Sequence, residues 1–300
     1  RTAYFPASAD YLAALEAARQ KAPDIPFIFV SGSIGEEKAI EMLALGASDY
    51  IFKDNLARLG ASVNRVIETA RLKLEKKNNE EELQLLAQAA DRFVHFNDLD
   101  TVYDYLAKTI CAISGADYLL LSLYDEKLQA VRPKIITGVE PFRETLRRRF
   151  RIDLMQMVFY LKDMRPDDFS NFVSRRLLPV SDGLYGLSNR KLPRSLCRVI
   201  EKLLAIDSMH TMGFSWENQL FGGVTVFFKK GNGLKNASRI EALANLAAVA
   251  IKRLLAERSL RESEESFRHI SATISDISYS CQPDEDGNFA LSWMTGAVDH

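Results

Sequence analysis

Residues 23–59, PDIPFIFVSGSIGEEKAIEMLALGASDYIFKDNLARL, constrain the fold of this chain more than any other stretch. Phe27 to Val30 form a short continuous apolar run, the pattern of a parallel-sheet strand covered on both faces. Ser31-Gly32-Ser33 ends that run, and residues 36–45 then read as a helix with Ala39, Ile40, Leu43 and Ala44 on one stripe. Gly46 is placed to close the helix as a C-terminal cap. Residues 49–52 form the next strand, with Lys53 at its C-terminal end. Ser31 and Lys53 are therefore expected at one edge of a sheet, where α/β folds place ligand chemistry. A phosphoryl group there would meet a hydroxyl donor and a compact positive charge. The plainer roles are a turn cap for Ser31, a solvated lysine at Lys53 and a half-buried strand aromatic at Tyr50.

The length of 300 residues favours about two domains. A net charge of −1 gives no electrostatic case for nucleic acid or a membrane surface. Cys111, Cys197 and Cys281 are far apart with no CxxC, which suits reduced thiols and a cytoplasmic setting. No apolar run approaches the ~20 residues that span a bilayer, and no secretory leader opens the chain. The first residue is not Met, so the chain is expected to be a piece of a longer protein.

From Leu56 the pattern is helical. Val63, Ile67, Ala70 and Leu74 form a short seam of coiled-coil type. Residues 75–82 are a charged interruption, and Leu83, Leu86, Ala90 and Phe93 resume the stripe. The reading is a first domain over 1–75, a helical linker over 76–92, a central domain over 83–257, and a linker helix opening a third unit over 258–300. In the central domain Asp98 to Asp100 cap a helix over 101–114 whose inner face is Val102, Tyr105, Leu106, Thr109 and Ile110. Strands follow at 118–124 and 131–137. Residues 139–205 are mixed and mostly helical, and are the expected wall of any pocket. A hairpin comes next, with strands at 209–214 and 219–229, a turn at 217–218 and a kink at Gly222-Gly223. A long helix opens at Asn236, with Ile240, Leu243, Ala247, Ala250 and Leu254 at heptad spacing. In the third unit, residues 274–281 and 289–294 read as strands around a turn at 283–288.

Other constellations are bland. The basic run at 147–151 reads as a solvated helix face, with contact to an anionic ligand or partner as the functional version. His95, His210, His269 and His300 lack metal-ligand spacing, and His210 reads as a packed strand edge. Cys197 reads as a buried apolar residue. No phosphate-binding glycine loop, GxSxG or HExxH is present, so no catalytic residues and no metal ligands are assigned.

Residues 1–75 resemble the second half of a response-regulator receiver domain, through the strand, Ser31, helix, GlyAlaSerAspTyr turn, strand and Lys53 in order. The resemblance implies Ser31 as switch hydroxyl, Lys53 as the phosphoryl-contacting lysine and Tyr50 as the rotameric switch aromatic. It also aligns the phosphoacceptor position, four residues before Pro6, with Thr2, which cannot form an acyl phosphate. Magnesium is implied only if the receiver is complete in the parent protein. Residues 83–257 resemble a GAF domain in their order of helix, antiparallel strands, helical insertion, late hairpin and closing helix. Residues 258–300 resemble the start of a PAS domain.

The expected fold class is accordingly α/β and α+β multidomain: a partial doubly wound parallel receiver sheet, an antiparallel GAF-like domain with long linker helices, and a partial PAS-like β unit. This order resembles hybrid sensor histidine kinases of archaea and bacteria. It implies a cytoplasmic signal-transduction module of a phosphorelay protein, a homodimer through the linker helices, an unidentified small-molecule ligand and a downstream kinase. Two alternatives stay open: the regulatory region of a cyclic-dinucleotide enzyme, and a docking module with a degenerate receiver.

Overall fold

In a computed structural model of the chain, residues 11–22, 24–32, 36–217, 219–273, 278–283 and 289–295 are described. Thr2, Pro6, Ser33, Asn218, residues 274–277, the turn at 284–288 and His300 lie outside them. The chain divides into two compact units, Arg1–Leu85 and Leu86–His300.

The first unit orders α1 (Tyr11–Lys21), β1 (Ile28–Ser31), α2 (Glu36–Ala44), β2 (Asp49–Phe52) and the start of α3 (Leu59–His95). β1 and β2 pair in parallel, from Ile28 opposite Asp49 to Ser31 opposite Phe52. Gly46 ends α2 at φ +99°, a region open to glycine. Its N–H bonds Leu43 O at 3.0 Å and that of Ala47 bonds Met42 O at 2.9 Å, the paired bonds of a Schellman cap. Arg19 Nη1 donates to Leu45 O at 2.8 Å and so ties α1 to the end of α2.

Two expectations for this unit are corrected. The stripe of α2 that packs inward is Ala39 and Met42, while Ile40 is 68% exposed and Leu43 also faces out. β1 is covered on one face only: Phe29 and Ser31 are buried and Val30 is exposed. Leu15, Phe29, Met42 and Ala47 share a small core on that one face. A buried parallel strand needs helices on both sides.

α3 runs unbroken through the charged stretch at 75–82, which interrupts the apolar stripe and not the helix. That stretch holds no Pro or Gly, and i,i+4 pairs of Arg71 with Glu75 (3.0 Å) and Lys76 with Glu80 (3.7 Å) suit a solvated helix. Ile67, Leu74 and Leu83 are exposed. Further on, Phe93 is buried and Leu86 half-buried, as the stripe expects, while Ala89 is buried more completely than the expected Ala90.

The second unit continues with α4 (Leu99–Ser114), β3 (Tyr118–Asp125), β4 (Ala130–Thr137), α5 (Arg143–Phe150), β5 (Phe159–Tyr160), α6 (Pro166–Val173), β6 (Leu178–Pro179), α7 (Gly183–Leu187) and α8 (Arg194–Leu204). It then adds β7 (Ile206–Trp216), β8 (Gln219–Lys229), α9 (Ala237–Thr273), β9 (Ser278–Pro283) and β10 (Phe289–Thr295). Asp98 caps α4 by accepting from Thr101 N–H at 2.7 Å, and Gly115 closes the helix in the left-handed region. β9 and β10 pair antiparallel, with Trp293 edge-on to Phe267 of α9 at 5.5 Å.

Strands β3 to β8 form one six-stranded antiparallel sheet in the order β5-β4-β3-β8-β7-β6. Alternation along each strand sorts its side chains onto two faces. Leu119, Leu121, Met212, Phe214, Val224, Val226 and Phe228 share one core with Val102, Leu106 and Ile110 of α4 and Ile240, Leu243, Ala247 and Ile251 of α9. Tyr103 joins this face, which the expected α4 stripe omitted. Its phenol is pushed up to about 12 by burial, with Asp100 adding repulsion. The heptad residues of α9 from Ile240 to Leu254 are consumed by this core and are not free for a second chain. Arg253 of α9 donates to Val94 O (2.7 Å), Phe96 O (2.6 Å) and Phe93 O (3.2 Å), satisfying carbonyls left open at the end of α3.

Candidate functional site

The other face of the sheet carries the candidate site. Register places side chains there in three cross-strand rows: Tyr118, Phe227 and Met209; Leu120, Thr225 and Thr211; Ser122, Gly223 and Gly213. The first row is apolar and lies in a second core with Val139, Leu146, Ile152, Ile200 and Leu204. The second and third rows introduce hydroxyls into strands that are otherwise apolar. Thr225 and Ser122 are buried, and Thr225 Oγ1 lies 2.8 Å from Thr211 Oγ1. Thr211 Oγ1 also donates to Val224 O at 3.2 Å.

The segment 139–205 covers this face, as the sequence led us to expect, and two adjoining cavities lie beneath it. One, of about 70 Å³, is bounded by Ser122, Thr211 and Thr225 from the sheet, Asp168 and Asn171 from α6, and Asn189. The other, of about 100 Å³, lies among Tyr118, Leu146, Leu184, Ile200, Leu204 and Phe227.

Glycine sets the floor of the first cavity. A Cβ on Gly223 would meet the Phe172 ring at 2.5 Å, and one on Gly213 would meet Phe172 O at 2.7 Å. α6 can therefore lie close on the sheet only where these residues lack side chains. Gly222 plays the same part toward β3, since its Cβ would meet Ser122 O at 2.1 Å. At the expected kink, Gly222-Gly223, pairing runs through both glycines; the irregularity of β8 lies beside them at Phe221, between Gly222 and Leu220 and opposite Phe214/Ser215.

Ion pairs hold the cover together. Asp168 accepts from Arg165 Nε at 3.0 Å and pairs with Arg190 at 3.4 Å, and Arg190 also reaches Asp182 at 3.5 Å. The Arg190 side chain is only 23% exposed, so this cluster is better shielded than a surface pair. Arg194 stacks over Tyr185 at 4.4 Å, and Lys191 pairs with Asp163 at 2.8 Å. Glu201 accepts from Leu184 N–H at 2.7 Å and anchors α7 to α8. Asp182, Asn189 and Arg190 all have positive φ, a local strain that the ion pairs and the Asn189 bond to Tyr160 O (3.1 Å) help to hold.

In the first unit, Ser31 is buried and stands opposite Phe52, and a Cβ on Gly32 would lie 3.4 Å from Lys53 Cδ. The lysine stem thus runs along the end of β1, and the two residues share the C-terminal edge of the parallel pair. Tyr50 stacks edge-on to Phe52 at 4.9 Å, and its buried hydroxyl has no hydrogen-bond partner. Burial opposes the charged form of Asp49, yet bonds from Ser62, Tyr50 N–H and Arg65 outweigh it and hold the carboxyl below its ordinary range. Among the described residues no three His, Cys, Asp or Glu side chains gather as a metal site.

The remaining sequence candidates fall away from both cavities. Arg147 to Arg149 and Arg151 are exposed on and after α5. His210 faces the α4 and α9 side, edge-on to Phe228 at 6.0 Å, and burial pushes its imidazole below the ordinary value. Cys197 is buried, and burial followed by the nearby Glu201 charge pushes its thiol up, which keeps it unreactive. Ser122, Thr211, Thr225, Asp168, Asn171 and Asn189 were missed. The legible sign was a single hydroxyl set within an apolar run, as in LLLSL and GGVTVFF.

No family model matches the chain, and no curated protein sequence matches it. Solved structures do. The GAF domain/HD domain protein of Geobacter sulfurreducens aligns over 53% of this chain and 95% of its own, at 16% identity and a TM-score of 0.40. The GAF domain of an Acinetobacter phosphoenolpyruvate-protein phosphotransferase aligns over 60% and 98%, at 13% identity and 0.41. A domain of a two-component sensor histidine kinase protein from Sinorhizobium meliloti aligns over 55% and 99%, at 14% identity and 0.37. At such scores the likeness assigns no function, which rests on the chain's own residues. Among the described residues no helix is long and apolar enough to cross a membrane.

Gly223→Ala is expected to push Phe172 and α6 off the sheet and to cost about 2 kcal/mol or more, an overpacking penalty. Chemical denaturation of the variant against the wild type measures it. A loss below about 0.5 kcal/mol would show that α6 does not depend on the glycine floor.

Proposed function

We propose that residues 83–257 are a GAF-like sensory domain that binds a small molecule between the sheet and the segment 139–205. The observation that carries this reading is the two-sided sheet. One face is packed solid against α4 and α9, whereas the other holds hydroxyl-lined space under short, ion-paired elements. A structural sheet gains nothing from buried threonine and serine in its centre, whereas a binding face does. Each cavity is below the ~300–1,000 Å³ common for ligand sites, so binding would open the cover. Ligand screening against the 300-residue chain by thermal unfolding tests this. A true ligand at a hundred times its Kd adds about 2.7 kcal/mol of stability. The absence of any shift across nucleotides, amino acids, organic acids, alcohols and aromatics would sink the reading.

The same proposal places the domain in a phosphorelay protein. Residues 1–75 act as the later half of a receiver, with Ser31 and Lys53 contacting a phosphoryl group and Tyr50 reporting it, and residues 258–300 begin a PAS-like unit. The shared strand edge of Ser31 and Lys53 and the unpaired Tyr50 hydroxyl support the first part. A form of the protein that carries a phosphoacceptor aspartate is expected to take label from acetyl phosphate, and Lys53→Ala in that form to lower the labelling. Equal labelling of both would remove Lys53 from the switch.

A homodimer through the helices completes the proposal. Its support is now the exposed pairs seven residues apart, Ile67 with Leu74 on α3 and Leu260 with Phe267 on α9. Light scattering should give twice the chain mass, falling to the monomer in Ile67→Lys/Leu74→Lys. A wild-type monomer at high concentration would end this part.

A further inference from the structure

The two cavities are neighbours with opposite chemistry. Leu120, Phe159 and Leu187 border both and are the side chains between them. In the inner cavity, the one lined by Tyr118 and Phe227 as against the outer one at Ser122 and Thr225, the hydroxyl protons are already committed: Tyr118 donates to Leu204 O at 2.7 Å, and Ser188 donates to Tyr185 O at 3.0 Å. A ligand group there would meet only apolar surface. In the outer cavity the hydroxyls keep capacity. Thr211 donates to Val224 O, so the short contact between the two threonines is filled by the Thr225 proton. That leaves Thr225 Oγ1 free to accept, and Ser122 and the Asn171 amide border the same space.

The charge around the outer cavity is balanced. Among the described residues Asp168 is the one acidic or basic side chain on its wall, and Arg165 and Arg190 pair with it. An anion placed there would face the Asp168 carboxylate. A cation would have to compete with Arg190, which Asp168 and Asp182 both hold. A charged group would lose its water with no free counter-charge to replace it.

Building on the sensory reading above, we infer that the ligand is an uncharged amphiphile: an apolar chain or ring seated among Tyr118, Leu146, Ile200 and Phe227, and a neutral hydroxyl- or amide-bearing end at Thr225, Thr211 and Ser122. The inner cavity, at about 100 Å³, is smaller than the ~150 Å³ that accepts a benzene. A short chain or a single ring therefore enters it only as the cover opens, and one molecule reaches both cavities past Leu120, Phe159 and Leu187.

The test uses the 300-residue chain and four probes: 1-octanol, octanoate, octylammonium and toluene, each titrated by calorimetry at pH 7. We expect 1-octanol to bind, both charged analogues to bind at least about tenfold more weakly, and toluene to displace octanol from the apolar end. Thr225→Val keeps the shape and removes the acceptor, and should weaken octanol about fivefold, the worth of one neutral hydrogen bond, while leaving toluene unchanged. Thr211→Val serves the same readout if Thr225→Val does not fold. Octanoate or octylammonium binding as tightly as octanol, no effect of either valine variant, or octanol that toluene fails to displace would each overturn the amphiphile and leave the sensory reading standing. Silence from all four probes, together with a screen that yields other ligands, overturns the amphiphile alone; silence in both overturns the sensory domain as well.

Discussion

Everything in the second unit depends on one sheet being unable to bury both faces in the same way. Its central strands β3, β7 and β8 present Leu119, Leu121, Val224, Val226, Met212 and Phe214 to two helices that cover them completely. That core buries enough apolar surface for the fold to stand on it, at about 1.5–3 kcal/mol for each large side chain removed from water. The opposite face is relieved of that duty. It tolerates glycines at Gly213 and Gly223, hydroxyls at Ser122, Thr211 and Thr225, and a cover of short elements joined by ion pairs.

Stability and function thus divide by strand parity. Along β8, Val224, Val226 and Phe228 are fully buried on the helix side, while Gly223, Thr225 and Phe227 alternate with them toward the cavities. A one-residue slip of this strand would exchange the two sets, placing a hydroxyl in the dry core and valines over the site. The pairing of β8 with both β3 and β7 fixes the register from two sides.

Much of this was legible in the sequence where local rules decide. The caps at Asp98, Gly115 and Gly46 stand where residue type placed them, and the strands at 118–124 and 219–229 followed from β-branched and aromatic runs. Periodicity misled where it could not say against what a face packs. Ile40 and Leu43 fit a helical stripe as well as Ala39 and Met42, yet only the latter meet a core. The heptad from Ile240 to Leu254 matches a coiled-coil seam, but over so few turns a 3.5-residue period cannot be told from the 3.6 of an inward-facing helix. The cavity residues are drawn from α6, the 178–189 segment and strands β3, β4, β5, β7 and β8, a convergence that only tertiary structure creates. Glycine at 223 signalled a kink in the sequence, but its reason is a phenylalanine fifty-one residues earlier.

α9 does more than cover the sheet. It is held by buried side chains from Ile240 to Leu254 and then continues to Thr273, with Phe267 against Trp293 of the following hairpin. At 1.5 Å per residue the free part extends about 28 Å beyond its last buried anchor. A rod clamped at one end magnifies angle into distance: a tilt of about 5° in the clamp would sweep its far end through about 2.5 Å, half the pitch of an α-helix. The clamp combines Ile240, Leu243, Ile251 and Leu254 with Ala244, Ala247, Ala248 and Ala250, whose small side chains let the elements sit close. Any tilt of the buried part, however small, is the motion that the length of the helix converts into displacement.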